Sequence, residues 1–249
     1  MQHMEPIRGQ YNDISEVYDL LTDGDDGGLF FRMHVEKFLE DLPKKARILD
    51  CSCGTGNHAI WLARQGYRVS ASDISEGMLE QARKKAAFAK LPVEFYRSSW
   101  EDQHHNVKQA FDMVLCPGNS LSHIGSISQI TEIARSMRRI LKPGSPFVYD
   151  IRNWEKTMEE DNLHTQEFRV GKGEKPWEVR YSYDIRGWNK PSKMFVDIRP
   201  AGETQYQHHR FDFLPAGFEQ FKQAFLQEGF TSFEREFYLN EEYYLAIAR

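Results

Sequence analysis

Between residues 47 and 151 short apolar runs alternate with helix-length segments, and this alternation constrains the fold more than any other feature of the chain. Runs at 47–51, 68–73, 93–96, 111–116 and 146–151 have strand length, and the stretches 58–65, 76–89 and 127–141 repeat their apolar residues at helical spacing. Successive strands joined by helices pair in parallel, which predicts an α/β sheet with helices on both faces. Upstream, 10–21 and 30–42 are helical by the same criterion, with a glycine- and aspartate-rich loop between them. Residues 22–29 of that loop are a candidate for closing over a ligand. From residue 154 the pattern changes: 178–184, 193–198 and 205–213 alternate polar and apolar between turn residues, as an inserted antiparallel lid would. A helix at 218–228 and a hairpin from 231–237 and 243–248 close the chain. The expected division is 1–153 for the N-terminal helices and core, 154–214 for the lid, and 215–249 for the completion of the core.

The 249 residues suit one full-sized domain with a modest appendage, and 40% hydrophobic residues suffice for a packed core. A net charge of −5 with both signs interspersed leaves no basic stripe for nucleic acid or for an anionic membrane. The expected partner is a small molecule. The first five residues carry no basic segment leading into an apolar one, so the expected location is cytoplasmic. Three cysteines, Cys51, Cys53 and Cys116, argue against a disulfide framework. No second pair stands at zinc-ligand spacing from Cys51-x-Cys53, and His104-His105 and His208-His209 lie in polar stretches, so no metal is expected.

The stretch Asp50-Cys51-Ser52-Cys53-Gly54-Thr55-Gly56 is the most informative chemically. Glycines at the end of a first strand let the backbone pass close under a ligand, and the following helix offers its N–H groups. Asp73 ends the second strand 19 positions after Gly54, where a carboxylate can accept both hydroxyls of an adenosine ribose. Gly54-x-Gly56-x-x-Ala59 also satisfies the dinucleotide fingerprint, which leaves an NAD-linked oxidoreductase as an alternative. The turn is followed, however, by Asp73-Ile74-Ser75 with Met78 one turn later, and the fifth strand is introduced by Leu141-Lys142-Pro143-Gly144. In that order and spacing the sequence resembles class I S-adenosylmethionine-dependent methyltransferases. The resemblance implies a Rossmann-like sheet and S-adenosylmethionine as cofactor, with S-adenosylhomocysteine as product. It places Ser52, Gly54 and Gly56 at the methionine moiety and Asp73 on the ribose, with Ile74, Met78, Ser99 and Trp100 around the adenine. Cys116 would lie beneath the cofactor, and Tyr11 resembles the N-terminal tyrosine that closes over the sulfonium.

Beyond the fourth and fifth strands stand Asn119, His123 and Arg152, which an open α/β sheet brings to one crevice. An arginine there suits a carboxylate, whose geometry its planar fork matches. Gly118-Asn119-Ser120-x-x-His123 followed by Asp150-x-Arg152-Asn153 resembles the glycine N-methyltransferase and glycine/sarcosine N-methyltransferase family. By that resemblance Arg152 grips the carboxylate of a small amino acid, glycine or sarcosine, while Asn119 and His123 orient its amine, on a route to betaine. Arg32 stands in for an arginine of the family's N-terminal loop, and Tyr206 for its lid tyrosines. A different small acceptor, and a non-catalytic cofactor-binding protein, remain as alternatives.

Overall fold

A computed structural model describes residues 5–21, 29–107, 110–161, 163–171 and 176–249. All but the last residue of the loop expected to close over a ligand lies outside these. The N-terminal region forms α1 (Glu5–Ile14), α2 (Tyr18–Leu21) and α3 (Leu29–Glu40). The core then runs β1 (Arg47–Asp50), α4 (Asn57–Arg64), β2 (Arg68–Asp73), α5 (Glu76–Phe88), β3 (Val93–Arg97), α6 (Gln103–Asn106), β4 (Met113–Cys116), α7 (Ile127–Ile140), β5 (Phe147–Arg152) and α8 (Trp154–Glu160). Next come β6 (Gln166–Val170), β7 (Trp177–Asp184), β8 (Ser192–Pro200) and β9 (Gln207–Phe213), then α9 (Phe218–Gln227), β10 (Phe233–Tyr238) and β11 (Tyr243–Ala248).

The main sheet has seven strands in the order β10-β11-β5-β4-β1-β2-β3. Strands β1 to β5 are parallel, and the β10–β11 hairpin adds antiparallel to β5. Strand order reverses between β1 and β4, so the loops after their carboxyl ends diverge and leave a crevice. The central strands are buried on both faces: Ile48 and Leu49 of β1 and Val114 and Leu115 of β4 are fully covered, packed beneath α4 on one side and α7 and α9 on the other. The second sheet, β6-β7-β8-β9, is antiparallel throughout. Its inner face, Val170, Val179, Val196, Ile198 and Phe211, packs on Ile14 and Met78.

Several elements differ from the sequence expectation. The helix expected over 10–21 is two helices, because Ser15 Oγ donates to the Asn12 carbonyl at 2.9 Å and the chain turns at Val17. Helices α6 and α8 and strand β6 were not anticipated; α6 is only four residues long, and β6 is largely exposed and so lacks the apolar alternation that marks a strand.

Gly56 caps α4 at φ +87°, and a Cβ placed there would stand 2.9 Å from that of Ala82 on α5. Gly56→Ala is therefore expected to cost about 2 kcal/mol in urea unfolding, from left-handed backbone strain and a clash between packed helices. Unchanged stability would show that α4 and α5 can separate freely.

Candidate active site

The crevice at the strand-order reversal is lined by Ile7, Tyr11 and Tyr18 from the N-terminal helices, and by Cys51, Ser52 and Gly54 from the turn after β1. Asp73 and Ile74 after β2, Ser98, Ser99 and Trp100 after β3, and Ser120 and His123 after β4 complete it. Eight of the residues expected from sequence thus meet here: Tyr11, Ser52, Gly54, Asp73, Ile74, Ser99, Trp100 and His123.

Asp73 is held by the backbone at both ends: Gly54 N–H donates to Oδ2 at 2.8 Å and Ser75 N–H to Oδ1 at 2.9 Å. Burial raises its carboxyl above the ordinary value, and the backbone N–H groups of Ser75, Gly54 and Ile74 pull it back. Each oxygen keeps a lone pair for a further donor. Gly54, at φ +51°, passes beneath Tyr18, whose Cε1 would stand 3.8 Å from a Cβ there. Within the same turn Asp50 accepts from Ser52 N–H at 3.3 Å, while its Oδ2 is buried without a hydrogen-bond partner. Burial pushes the Asp50 carboxyl up to about 8. Asp50 itself stands behind the turn and does not line the crevice, whereas Ile74 with Trp100 offers a slot that fits an apolar ring.

Other expected residues shape the crevice from behind. Cys116 is fully buried and accepts from Ser52 Oγ at 3.2 Å. Met78 is buried against Ile14, and Gly56 packs on Ala82, so neither lines the crevice. Ser99 Oγ donates to Asp102 at 2.9 Å. Arg32 and Tyr206 lie elsewhere. The Arg32 guanidinium lies over the Trp61 ring on α4, 5.8 Å from its centroid. Tyr206 is flanked by Arg199 and Arg180 at 4.2 and 5.0 Å, in a separate surface pocket with Glu167, Arg169 and Glu178.

On the acceptor side, His123 Nδ1 lies 2.7 Å from the Asp212 carbonyl, and Nε2 lies 2.9 Å from Tyr11 Oη. A carbonyl only accepts, so Nδ1 carries the proton, Nε2 accepts, and Tyr11 O–H is the donor. Burial lowers the His123 pKa, which keeps the ring neutral, and raises that of the Tyr11 phenol well above its ordinary value. Asn119, at φ +57°, is less free than expected: its Oδ1 accepts from Ser122 Oγ at 2.6 Å and from Arg152 N–H at 2.9 Å. Only its NH₂ group remains available, as a donor.

Sequence reasoning missed the tyrosines between the two sheets. Tyr181 and Tyr183 alternate along β7, and with Tyr18 and Tyr243 they form a run of half-buried phenols, each with its pKa raised by desolvation. Tyr18 lines the cofactor crevice; at the other end stands Arg152, whose Nη2 donates to Tyr243 Oη and whose guanidinium lies 4.7 Å from that ring's centroid. Tyr183 is close enough to Arg152 to feel its charge. The sequence signal was the Tyr-x-Tyr alternation on a strand, which fixes that the two share a face but not which face looks inward.

Residues 48–144 match the family described as a methyltransferase domain. That stretch is therefore similar to a methyltransferase domain. Among similar proteins, glycine N-methyltransferase from Rattus norvegicus is 32% identical over 120 residues, 44% of this chain and 41% of that protein. Glycine/sarcosine N-methyltransferase from Aphanothece halophytica is 30% identical over 114 residues, 46% and 43% respectively. The alignments thus span less than half the length of either relative. The structure of an S-adenosylmethionine-dependent methyltransferase from Clostridium acetobutylicum superposes with a TM-score of 0.73 at 18% identity, covering 96% of this chain and 98% of that one. The chain therefore has a Rossmann-like α/β fold like that structure's, with the antiparallel sheet β6–β9 beside the main sheet.

Proposed function

We propose that the protein is an S-adenosylmethionine-dependent N-methyltransferase whose acceptor is a small molecule carrying both an amine and a carboxylate, of the glycine or sarcosine class. One observation carries the acceptor assignment. Arg152 is half-buried at the end of β5, and among the described residues its guanidinium contacts a neutral phenol and forms no ion pair with an acid. A partly buried cation without an anion is costly, and a substrate carboxylate would offset that cost. The free NH₂ of Asn119 adds a donor for the same carboxylate, which revises the expectation that Asn119 orients the amine.

When bound, the cofactor supplies an electrophilic methyl group on a sulfonium. Asp73 would accept from the ribose hydroxyls, and Ile74 and Trp100 would enclose the adenine. The protein's remaining task is to hold the amine lone pair in line with the methyl carbon and to exclude water. An ammonium must first lose a proton. Tyr11 Oη takes it as its own hydroxyl proton passes to His123 Nε2, so one N–H bond is replaced by another and the phenol is regenerated.

The test is S-adenosylhomocysteine formation with glycine, sarcosine, dimethylglycine and acceptors lacking a carboxylate. Turnover confined to the carboxylates is expected. Arg152→Ala should raise the acceptor KM about thirtyfold, the loss of a charged hydrogen-bond pair, and leave cofactor affinity unchanged. Turnover by wild type of an amine without a carboxylate, unaffected by Arg152→Ala, would refute the assignment.

A further inference from the structure

Ile7, Tyr11 and Tyr18 of the α1–α2 cap line the crevice together with the glycine turn, and Tyr18 lies against Gly54. The ties along this cap differ. Helix α1 is bound to the core through Asn12 Oδ1, which accepts from Ser75 Oγ at 2.7 Å and Gly77 N–H at 2.9 Å. It is bound to the lid through Gln10, which donates to Asp212 Oδ2 at 2.9 Å and accepts from Asp212 N–H at 3.1 Å. Helix α2, which carries Tyr18, has no fully buried residue.

Besides the packing of Tyr18, Leu20 and Leu21 on the apolar face of the lid, a closed polar ring fastens α2. Asp19, the neighbour of Tyr18, accepts on Oδ1 from Thr55 Oγ1 at 2.5 Å and from Asn57 Nδ2 at 3.4 Å, and on Oδ2 from Lys85 Nζ at 2.8 Å. The Lys85 ammonium spends its other two protons on Thr55 Oγ1, at 3.0 Å, and Asn57 Oδ1. Thr55 and Asn57 flank Gly56 in the cofactor turn, and Lys85 projects from α5. The ring therefore joins the cap to the two elements that bracket the cofactor, through an ion pair whose partners are 30% and 37% exposed. That exposure leaves the ion pair accessible to water and weakened by salt, whereas α1 is tied through uncharged side chains, Asn12 and Gln10.

We infer that the Asp19–Lys85–Thr55–Asn57 ring is the latch of the α1–α2 cap, and that Asp19 and Lys85 are positioning residues setting how long an adenosyl cofactor stays bound; this rests on the proposal that the crevice takes S-adenosylmethionine. Closing the latch seats Tyr18 over Gly54 and brings the α1–α2 cap, Tyr11 included, against His123. Opening it releases the cofactor without touching a group that contacts it.

The experiment measures the dissociation rate of S-adenosylhomocysteine by stopped flow in the full chain. Lys85→Met and Asp19→Asn are each expected to raise it about tenfold, the scale of a partly exposed, hydrogen-bonded ion pair. The double variant should be no faster than either single one, because the ring acts as a unit. In wild type the rate should rise with ionic strength, and in the double variant it should not. Lys84→Met removes an adjacent lysine whose ion-pair partner, among the described residues, is exposed Glu80, and should leave the rate unchanged. A latch lengthens residence, so kcat at saturating cofactor should hold or rise while the cofactor KM increases, a split that general destabilisation does not produce. Wild-type release rates in folded Lys85→Met and Asp19→Asn would overturn the latch while leaving the function standing. Failure of wild type to bind S-adenosylhomocysteine at all would overturn both.

Discussion

Asp73→Asn is expected to raise the dissociation constant of S-adenosylhomocysteine about a hundredfold, roughly the value of two charge-assisted hydrogen bonds after solvent competition. The substitution is nearly isosteric, so the effect isolates charge. The carboxylate now accepts from Gly54 N–H on one oxygen and Ser75 N–H on the other, and both oxygens keep a lone pair for the ribose diol. An amide leaves one oxygen and opposes a backbone N–H with another donor, so the turn itself loosens as the diol loses an acceptor. Isothermal titration reads the binding loss, and thermal unfolding without ligand reads the smaller change in the turn. The pH dependence has a definite sign. Burial raises the Asp73 pKa, so on acidification the charged acceptor is lost sooner than from an ordinary carboxylate, and cofactor affinity should fall with it. The Asn variant should lack this dependence. Equal affinities in the two proteins would remove Asp73 from the cofactor site.

Asp73 was legible in the sequence because its position is set by topology: a carboxylate ending the second strand faces the turn after the first wherever the two strands are adjacent and parallel. The same holds for Gly54 and for the residues just past β3 and β4, which explains why eight expected residues meet in one crevice. Topology says much less about the acceptor side. There the walls come from α2, from β7 and from β11, elements far apart in the chain and joined only by packing. Tyr206 illustrates the difficulty. The resemblance offers it as the counterpart of the family's lid tyrosines, yet Arg180 and Arg199 flank it on the opposite face from Val179 and Val196. In the lid strands Tyr181 and Tyr183 share the inner face with Val179, while Arg169, Arg180, Arg199 and Arg210 share the outer one; Tyr206 stands in the loop before β9, where strand alternation does not reach it. The partners of the Asn119 oxygen were not legible either, because they are the Ser122 hydroxyl and the backbone N–H of Arg152 from β5.

Tyr11→Phe should lower kcat about a hundredfold, the ordinary contribution of a positioned proton acceptor, with little change in cofactor affinity. The phenylalanine keeps the ring on Phe211, 4.9 Å away, and beside Tyr18, so the cap closes as before and only the hydroxyl is lost. Without it His123 Nε2 has no bridge to the acceptor amine, and the enzyme must wait for amines that arrive already neutral. The pH profiles should then separate. In wild type the rate falls on the acid side as His123 becomes protonated, and burial places that limb below the ordinary imidazole value of 6.5. In Tyr11→Phe the acid limb should move up to the ionisation of the free amine, with the rate still climbing well above neutrality. His123→Asn should behave the same way, since it removes the final acceptor of the same proton, and the double variant should be no worse than either single one. Wild-type kcat and an unmoved acid limb in Tyr11→Phe would mean that the amine sheds its proton to water, leaving Tyr11 and His123 to shape the crevice alone.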